Sequence, residues 1–376
     1  MMYYLHRLSG VGPDIFRAFN VFQYITFRAV AAAITAFLLS LLFGNWVIRR
    51  LISLKMGQPI RTKEEVHKLF ELQGGKAGTP TMGGVLILGV VILSTLIWAR
   101  PDNMAVWLLL FTLVSCGALG FWDDYLKVTK KNSVGVSERV KLIGQGLVAV
   151  VVAAFFLLNP AIQVQAKALF IPFYKEPIFW NLGGFTVVFF ALVIIGSSNA
   201  VNLTDGLDGL AAGCTITTGV AYSVLTYAAG NVKIAQYLQI PYYPFAGELS
   251  VVCMALVGAS FGFLWFNCHP AKVFMGDTGS LAIGGFFGAV AICCKQELLL
   301  IVVGGVFVIE ALSVLIQRTW FKITKRRYGQ GRRVFLMSPI HHHFELKGWK
   351  ENTVIVRFWI LSVMFALLGL ATLKLR

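Results

Sequence analysis

The sequence predicts an all-α polytopic membrane protein with about ten transmembrane helices, built as a single integral domain over residues 1–376. Three observations predict it. With 57% hydrophobic and only 13% charged residues, 30 Phe and a mean hydropathy of +0.74, the composition excludes a soluble globular chain. Reading apolar windows of about 17–20 residues, the length that crosses a bilayer, gives ten spans, one of them short. Lys and Arg are distributed unevenly between the alternate sets of loops. No repeat, low-complexity tract or linker marks off a second domain.

The spans fall at 21–43, 82–98, 104–122, 142–158, 185–201, 209–229, 249–266, 281–294, 298–316 and 354–373. The first runs directly into Trp46 and Arg49-Arg50 with no small-residue cleavage site, so it reads as a retained helix and not a signal peptide. In the outer loop 159–183, Gln163-Val164-Gln165 and Phe170-Ile171 suggest a small strand pair. The eighth span is short, and its Gly284, Gly285 and Gly288 suit tight packing among neighbours. The ninth carries Glu310, Ser313 and Gln317 on one helical face; Glu310 is expected in a hydrogen bond between helices and Gln317 in contact with a ligand. The six cysteines lack CxxC spacing and read as buried thiols.

Loops 44–81, 123–141, 202–208, 267–280 and 317–353 hold 22 of the 33 basic residues, against 9 on the opposite side. Positive charge marks the first set as cytoplasmic and both termini as outside. The net charge of +16 follows from that arrangement, favours anionic lipid and phosphorylated ligands, and, interleaved with apolar spans, argues against nucleic acid. Arg326-Arg327 and Arg332-Arg333 read as topology determinants and lipid headgroup contacts.

Every compact polar motif falls on that inner side. Phe121-Trp122-Asp123-Asp124-Tyr125 closes the third span, and adjacent carboxylates stay ionised cheaply only beside a cation or basic group. The bland alternative is a solvated helix end paired with Lys127 or Lys130. Two further acid-bearing motifs, Asn202-Leu203-Thr204-Asp205-Gly206-Leu207-Asp208-Gly209 and Phe274-Met275-Gly276-Asp277-Thr278-Gly279-Ser280, make an oxygen-rich face of the kind Mg²⁺ prefers. Asp205 and Asp208 share a face if the sixth helix starts early, or Asn202 and Asp205 cap it; Gly206 and Gly209 let backbone approach a ligand. The glycine-rich run 74–84, with Lys76 and Thr81, leads into a helix N-terminus and suits an anion, although its spacing is not that of a P-loop. His341, His342 and His343 hold half of the chain's histidines. Consecutive helical residues diverge, so one or two of them are expected to contact phosphate or ligand; a zinc site lacks a Cys partner.

Together these motifs resemble the polyprenyl-phosphate N-acetylhexosamine-1-phosphate transferases over nearly the whole chain, and the run Pro339 to Glu345 resembles the muramoyl-pentapeptide branch. The resemblance implies transfer of phospho-MurNAc-pentapeptide from UDP-MurNAc-pentapeptide to undecaprenyl phosphate, giving lipid I and UMP with Mg²⁺. It places the active site on the cytoplasmic loops of a bacterial inner membrane, with periplasmic termini. It implies that Lys76, Thr81, Asn202, Asp205, Asp208, Asn267, Phe274, Gly276, Gln317 and the histidines 341–343 bind substrate, with Phe274 stacking on uracil. Asp277 is the expected metal ligand, because Gly276 and Gly279 open the backbone around it. Asp123 is expected to orient or deprotonate the lipid phosphate, with Asp124 in support and attack direct; a covalent phospho-aspartyl route stays open. The glycines of spans eight and nine, including Gly304-Gly305, are candidates for the lipid's route, and glycine-rich outer faces admit a homodimer. Two rivals remain: a sister transferase using UDP-N-acetylglucosamine, against which the histidine run argues, and an ion-coupled transporter. A transporter places its acids near mid-membrane in repeated halves, unlike this chain.

Overall fold

The computed structural model describes residues 1–10, 14–54, 56, 78–130 and 135–374. Among them the regular structure is helical. The long helices are α1 (Ile25–Ser53), α2 (Gly84–Trp98), α3 (Met104–Thr129), α4 (Glu138–Leu157), α5 (Phe185–Thr204), α6 (Leu210–Ala229), α7 (Ala246–Asn267), α8 (Gly276–Cys293), α9 (Gly305–Tyr328) and α10 (Glu351–Ala371). Seven of these, α1, α3, α4, α5, α7, α8 and α10, are long and apolar enough to cross a membrane, and α2 is an apolar helix of 15 residues.

The short, glycine-rich eighth span becomes the hub of the bundle. Helix α8 packs between α3 and α5, and 89% of its apolar window is buried. A Cβ on Gly284 would lie 2.4 Å from the carbonyl oxygen of Ser197, so only glycine lets α5 approach this closely. This packing brings the ends of α3 and α5 to the start of α8. A second layer forms around α7, which packs between α1 and α6.

Charge inside the bundle is paired. Arg28, within α1, is buried against Glu248 of α7, with Nη2 2.9 Å from Oε2; Glu248 also accepts from the Arg100 N–H at 2.8 Å. Breaking such a pair strands a buried charge. Arg28→Met is expected to destabilise the fold by about 3–5 kcal/mol, read as a lowered thermal midpoint in detergent. Adding Glu248→Leu, which removes the stranded carboxylate, should restore most of the loss.

Four expectations are corrected. Gln163–Lys167 is a helix, because Gln163 and Ala166 donate to the Asn159 and Ile162 carbonyls, and the outer loop holds an isolated antiparallel bridge between Leu169 and Phe179 in place of a strand pair. The ninth span breaks at Gly304, between the short helix Leu299–Val303 and α9, and α9 continues to Tyr328. Five cysteines are buried, but Cys268 is exposed. Helix α6 starts only at Leu210, after Gly209 at φ +76°, and α5 ends at Thr204, so Asp205 and Asp208 lie on the intervening turn and share no helical face.

Candidate functional site

Asp123 and Asp124 are buried in the last turns of α3, and Asp277 sits in the first turn of α8. Their carboxylate oxygens lie within 4.8 Å of one another. Three anions this close repel unless compensated. Lys127, one turn beyond Asp123, places Nζ 2.6 Å from Asp123 Oδ2 and 3.0 Å from Asp277 Oδ2. Lys141, at the start of α4, repeats the bridge at 2.9 and 3.0 Å. On the other side of Asp277, Asn202 Nδ2 donates to Oδ1 at 2.8 Å and to Ser280 Oγ at 2.9 Å.

The two adjacent aspartates have different partners. Asp123 accepts from the Val136 N–H at 2.6 Å and otherwise faces the lysines. Asp124 accepts from the Asp277 N–H at 3.2 Å, the Thr278 N–H at 2.9 Å and the Thr278 hydroxyl at 2.8 Å, so it satisfies the free donors at the N-terminus of α8. Gly276, at φ +73°, allows this contact: a Cβ there would meet Asp124 Oδ2 at 2.6 Å and Thr81 Oγ1 at 2.9 Å.

Asp205 feels the same cluster. Burial, then the neighbouring Asp277 and Asp124, push its carboxyl up to about 8. An acid whose folded value exceeds its unfolded one must ionise at a cost as pH rises between the two, so stability falls across that window. In Mg²⁺-free buffer the thermal midpoint is therefore expected to fall from pH 6 to pH 8.5, with a shallower slope in Asp205→Asn. Asp208 turns away into a second polar group. It accepts from the Ala271 N–H at 3.1 Å, with His269 Nδ1 at 3.0 Å, and Glu351 accepts from its N–H at 3.2 Å. Asn267 ties this turn to the end of α7, accepting from the Gly209 N–H at 3.0 Å and donating to the Val273 carbonyl at 2.8 Å.

The structure thus gathers Asp123, Asp124, Asp277, Asn202, Asp205, Gly276 and Thr81 around one cluster, with Asp208 and Asn267 beside it. Half-buried Phe274 pairs through its backbone with Pro80 and Gly83, at 2.8 Å each. Lys76 lies outside the described residues. Gln317 spends its amide on the backbone, donating to the Phe335 carbonyl at 3.0 Å and accepting from the Val334 and Phe335 N–H groups. The three histidines diverge as helical neighbours must. His341 is wholly buried; His342 Nδ1 lies 2.7 Å from Glu345 Oε2, its ring held below the usual histidine range by burial and by His341; His343 Nδ1 accepts from the Leu336 N–H at 3.1 Å. Sequence reasoning missed Lys141, His269 and Glu351 as partners, and named Lys127 only in the alternative of a solvated helix end. Its i, i+4 spacing from Asp123 was the readable signal.

Residues 106–295 match the model of glycosyl transferase family 4, and residues 76–88 match the phospho-N-acetylmuramoyl-pentapeptide-transferase signature 1. Relatives of full length include phospho-N-acetylmuramoyl-pentapeptide-transferases. That of Methylacidiphilum infernorum is 54% identical over 100% of both chains; that of Citrifermentans bemidjiense is 50% identical over 99% of both. That of Syntrophus aciditrophicus is 51% identical over 95% of this chain and 96% of its own.

Proposed function

Because the chain belongs to glycosyl transferase family 4, and within it to the phospho-N-acetylmuramoyl-pentapeptide-transferases, we propose that the aspartate and lysine cluster is its catalytic centre. There phospho-MurNAc-pentapeptide passes from UDP-MurNAc-pentapeptide to undecaprenyl phosphate, giving lipid I and UMP in peptidoglycan biosynthesis. One observation carries the placement: Lys127 and Lys141 each bridge Asp123 and Asp277, concentrating two cations where two phosphate groups must meet.

The barrier to this reaction is charge repulsion and alignment, since an anionic phosphate attacks an anionic diphosphate. A phosphate monoester with a second pKa of about 6 is already largely dianionic at neutral pH, so Asp123 orients the lipid phosphate rather than needing to deprotonate it. The lipid phosphate oxygen bonds to the sugar-bearing phosphorus as that phosphorus releases the bridging oxygen to UMP. Lys127 and Lys141 hold the anions together, Asn202 fixes the Asp277 carboxylate, and Asp124 fixes the start of α8. Asp277, Asp123 and Asp124 form an all-oxygen donor set that suits Mg²⁺, with Asp277 the chief ligand. Mg²⁺ held by these carboxylates would supply positive charge against the charge developing on the phosphates. Asp205, Asp208, Asn267 and Phe274 form the nucleotide-holding wall in this reading, and the same reading takes ten spans with outside termini from the charge pattern, with the site on the cytoplasmic face of the inner membrane.

For the acceptor, an apolar groove of about 330 Å³ between α5 and α9, lined by Leu192, Gly196, Ala200, Gly304, Phe307 and Ala311, offers a sideways route from the bilayer. Of the glycines expected along that route, Gly304 lines the groove, whereas Gly284, Gly285 and Gly288 pack α8 against α5 and α3.

The test is Mg²⁺-dependent UMP release by detergent-solubilised protein given undecaprenyl phosphate and, separately, each UDP-sugar. Release with the muramoyl-pentapeptide donor is expected; no release with either donor would sink the reading. Label from the donor trapped on acid-quenched enzyme without acceptor would overturn direct attack.

A further inference from the structure

Glu310 lies on the part of α9 that faces the protein interior, with its carboxylate wholly buried. A buried carboxylate needs a counter-charge or several hydrogen bonds. Among the described residues neither of its oxygens accepts a hydrogen bond, and the ionic partner beside it is His341, whose Nδ1 lies 3.1 Å from Oε1. His341 is buried just as fully, and neither ring nitrogen makes a well-aligned hydrogen bond among those residues.

The far edge of that ring rests on the turn between α5 and α6. A Cβ on Gly206 would come within 2.3 Å of His341 Nε2, so the imidazole sits directly on the Gly206 backbone. Gly206 separates Asp205, which feels the acid cluster, from Leu207 and Asp208, which is tied to His269. The run from Glu310 through His341 to Gly206 therefore connects α9 to the turn that carries both acids. An apolar ring would fill the same space without the cost of burying an ionisable pair.

We propose that Glu310 and His341 are a positioning pair: Glu310 holds the imidazole, and the imidazole sets the Asp205–Asp208 turn on which the nucleotide donor is held. In this arrangement neither residue touches substrate, so His341 acts by positioning in place of the direct contact expected of it. The proposal rests on the reading of that turn as one wall of the donor pocket.

Initial rates of purified protein, with donor and lipid phosphate varied separately, test it. Glu310→Gln keeps the volume of the side chain but removes its charge. It is expected to raise the KM for the nucleotide donor at least about tenfold, with kcat within about threefold. The KM for lipid phosphate and the Mg²⁺ dependence should stay unchanged. Gly206→Ala, which pushes the ring off the turn while leaving the pair intact, should raise the same KM, and the double variant should be no worse than the weaker single because both break one linkage. An unchanged donor KM in Glu310→Gln, or equal losses for both substrates together with a lowered thermal midpoint, overturns the pair as a positioning device. If Glu310→Gln does not fold, the donor KM of Gly206→Ala decides. Wild-type protein inactive with every donor would instead sink the proposed function.

Discussion

Asp277→Asn is expected to cut kcat by about 10³-fold while leaving the fold intact, the largest single effect among the acids. The carboxylate holds both lysines at 3.0 Å through one oxygen and the Asn202 amide at 2.8 Å through the other. It is also the acid on which Mg²⁺ binding is proposed to depend most. Asparagine keeps the shape and loses the charge. Helix α8 is secured by its apolar body between α3 and α5, so the thermal midpoint should move by only a few degrees. Mg²⁺ is expected to raise the midpoint of the wild type, and that rise should vanish with the activity in Asp277→Asn. Asp124→Asn is the control that separates the neighbours. Asp124 spends its carboxylate on three donors at the start of α8, so its variant should lose about 1–2 kcal/mol of stability as well as activity. A full Mg²⁺ response in Asp277→Asn would remove Asp277 from the metal site.

How far the sequence disclosed this arrangement depends on the range over which each interaction is set. Span positions are local: an apolar run of bilayer length forms a helix whatever surrounds it, so the bundle was legible. The break at Gly304 was not, because a glycine inside an apolar run is compatible with both a continuous and an interrupted helix. The convergence of Asp123, Asp124 and Asp277 followed from their shared side of the charge pattern. Their partners did not follow. Lys141 meets Asp277 across 136 positions, a distance closed only when α8 docks against α3 and α5. The same docking gives Asp124 its donors, which no spacing near residue 124 reveals. That consecutive histidines diverge was readable from helix geometry; that His341 faces inward onto Gly206 required knowing where α9 lies.

Neutralising the lysines should produce the second large effect, and its non-additivity is the informative part. Lys127→Gln and Lys141→Gln are each expected to lower kcat/KM by about 10²-fold, because each removes one of two cations that offset the repulsion between attacking and leaving phosphates. Both ammonium groups contact the same pair of carboxylates, Asp123 Oδ2 and Asp277 Oδ2. Groups that share partners do not act independently. With one lysine left, the cluster keeps a bridge between α3 and α8 and the phosphates keep one cation. With neither, the three carboxylates meet an incoming anion with no ammonium group between them, so the double variant should fall well below the product of the singles. Raised Mg²⁺ should recover part of the loss in either single variant, since a divalent ion supplies charge at the same place, and little in the double, where the lysine bridge is gone. Strict multiplicativity of the two singles, or no Mg²⁺ recovery in either, would show that the lysines serve separate ligands instead of one shared phosphate site.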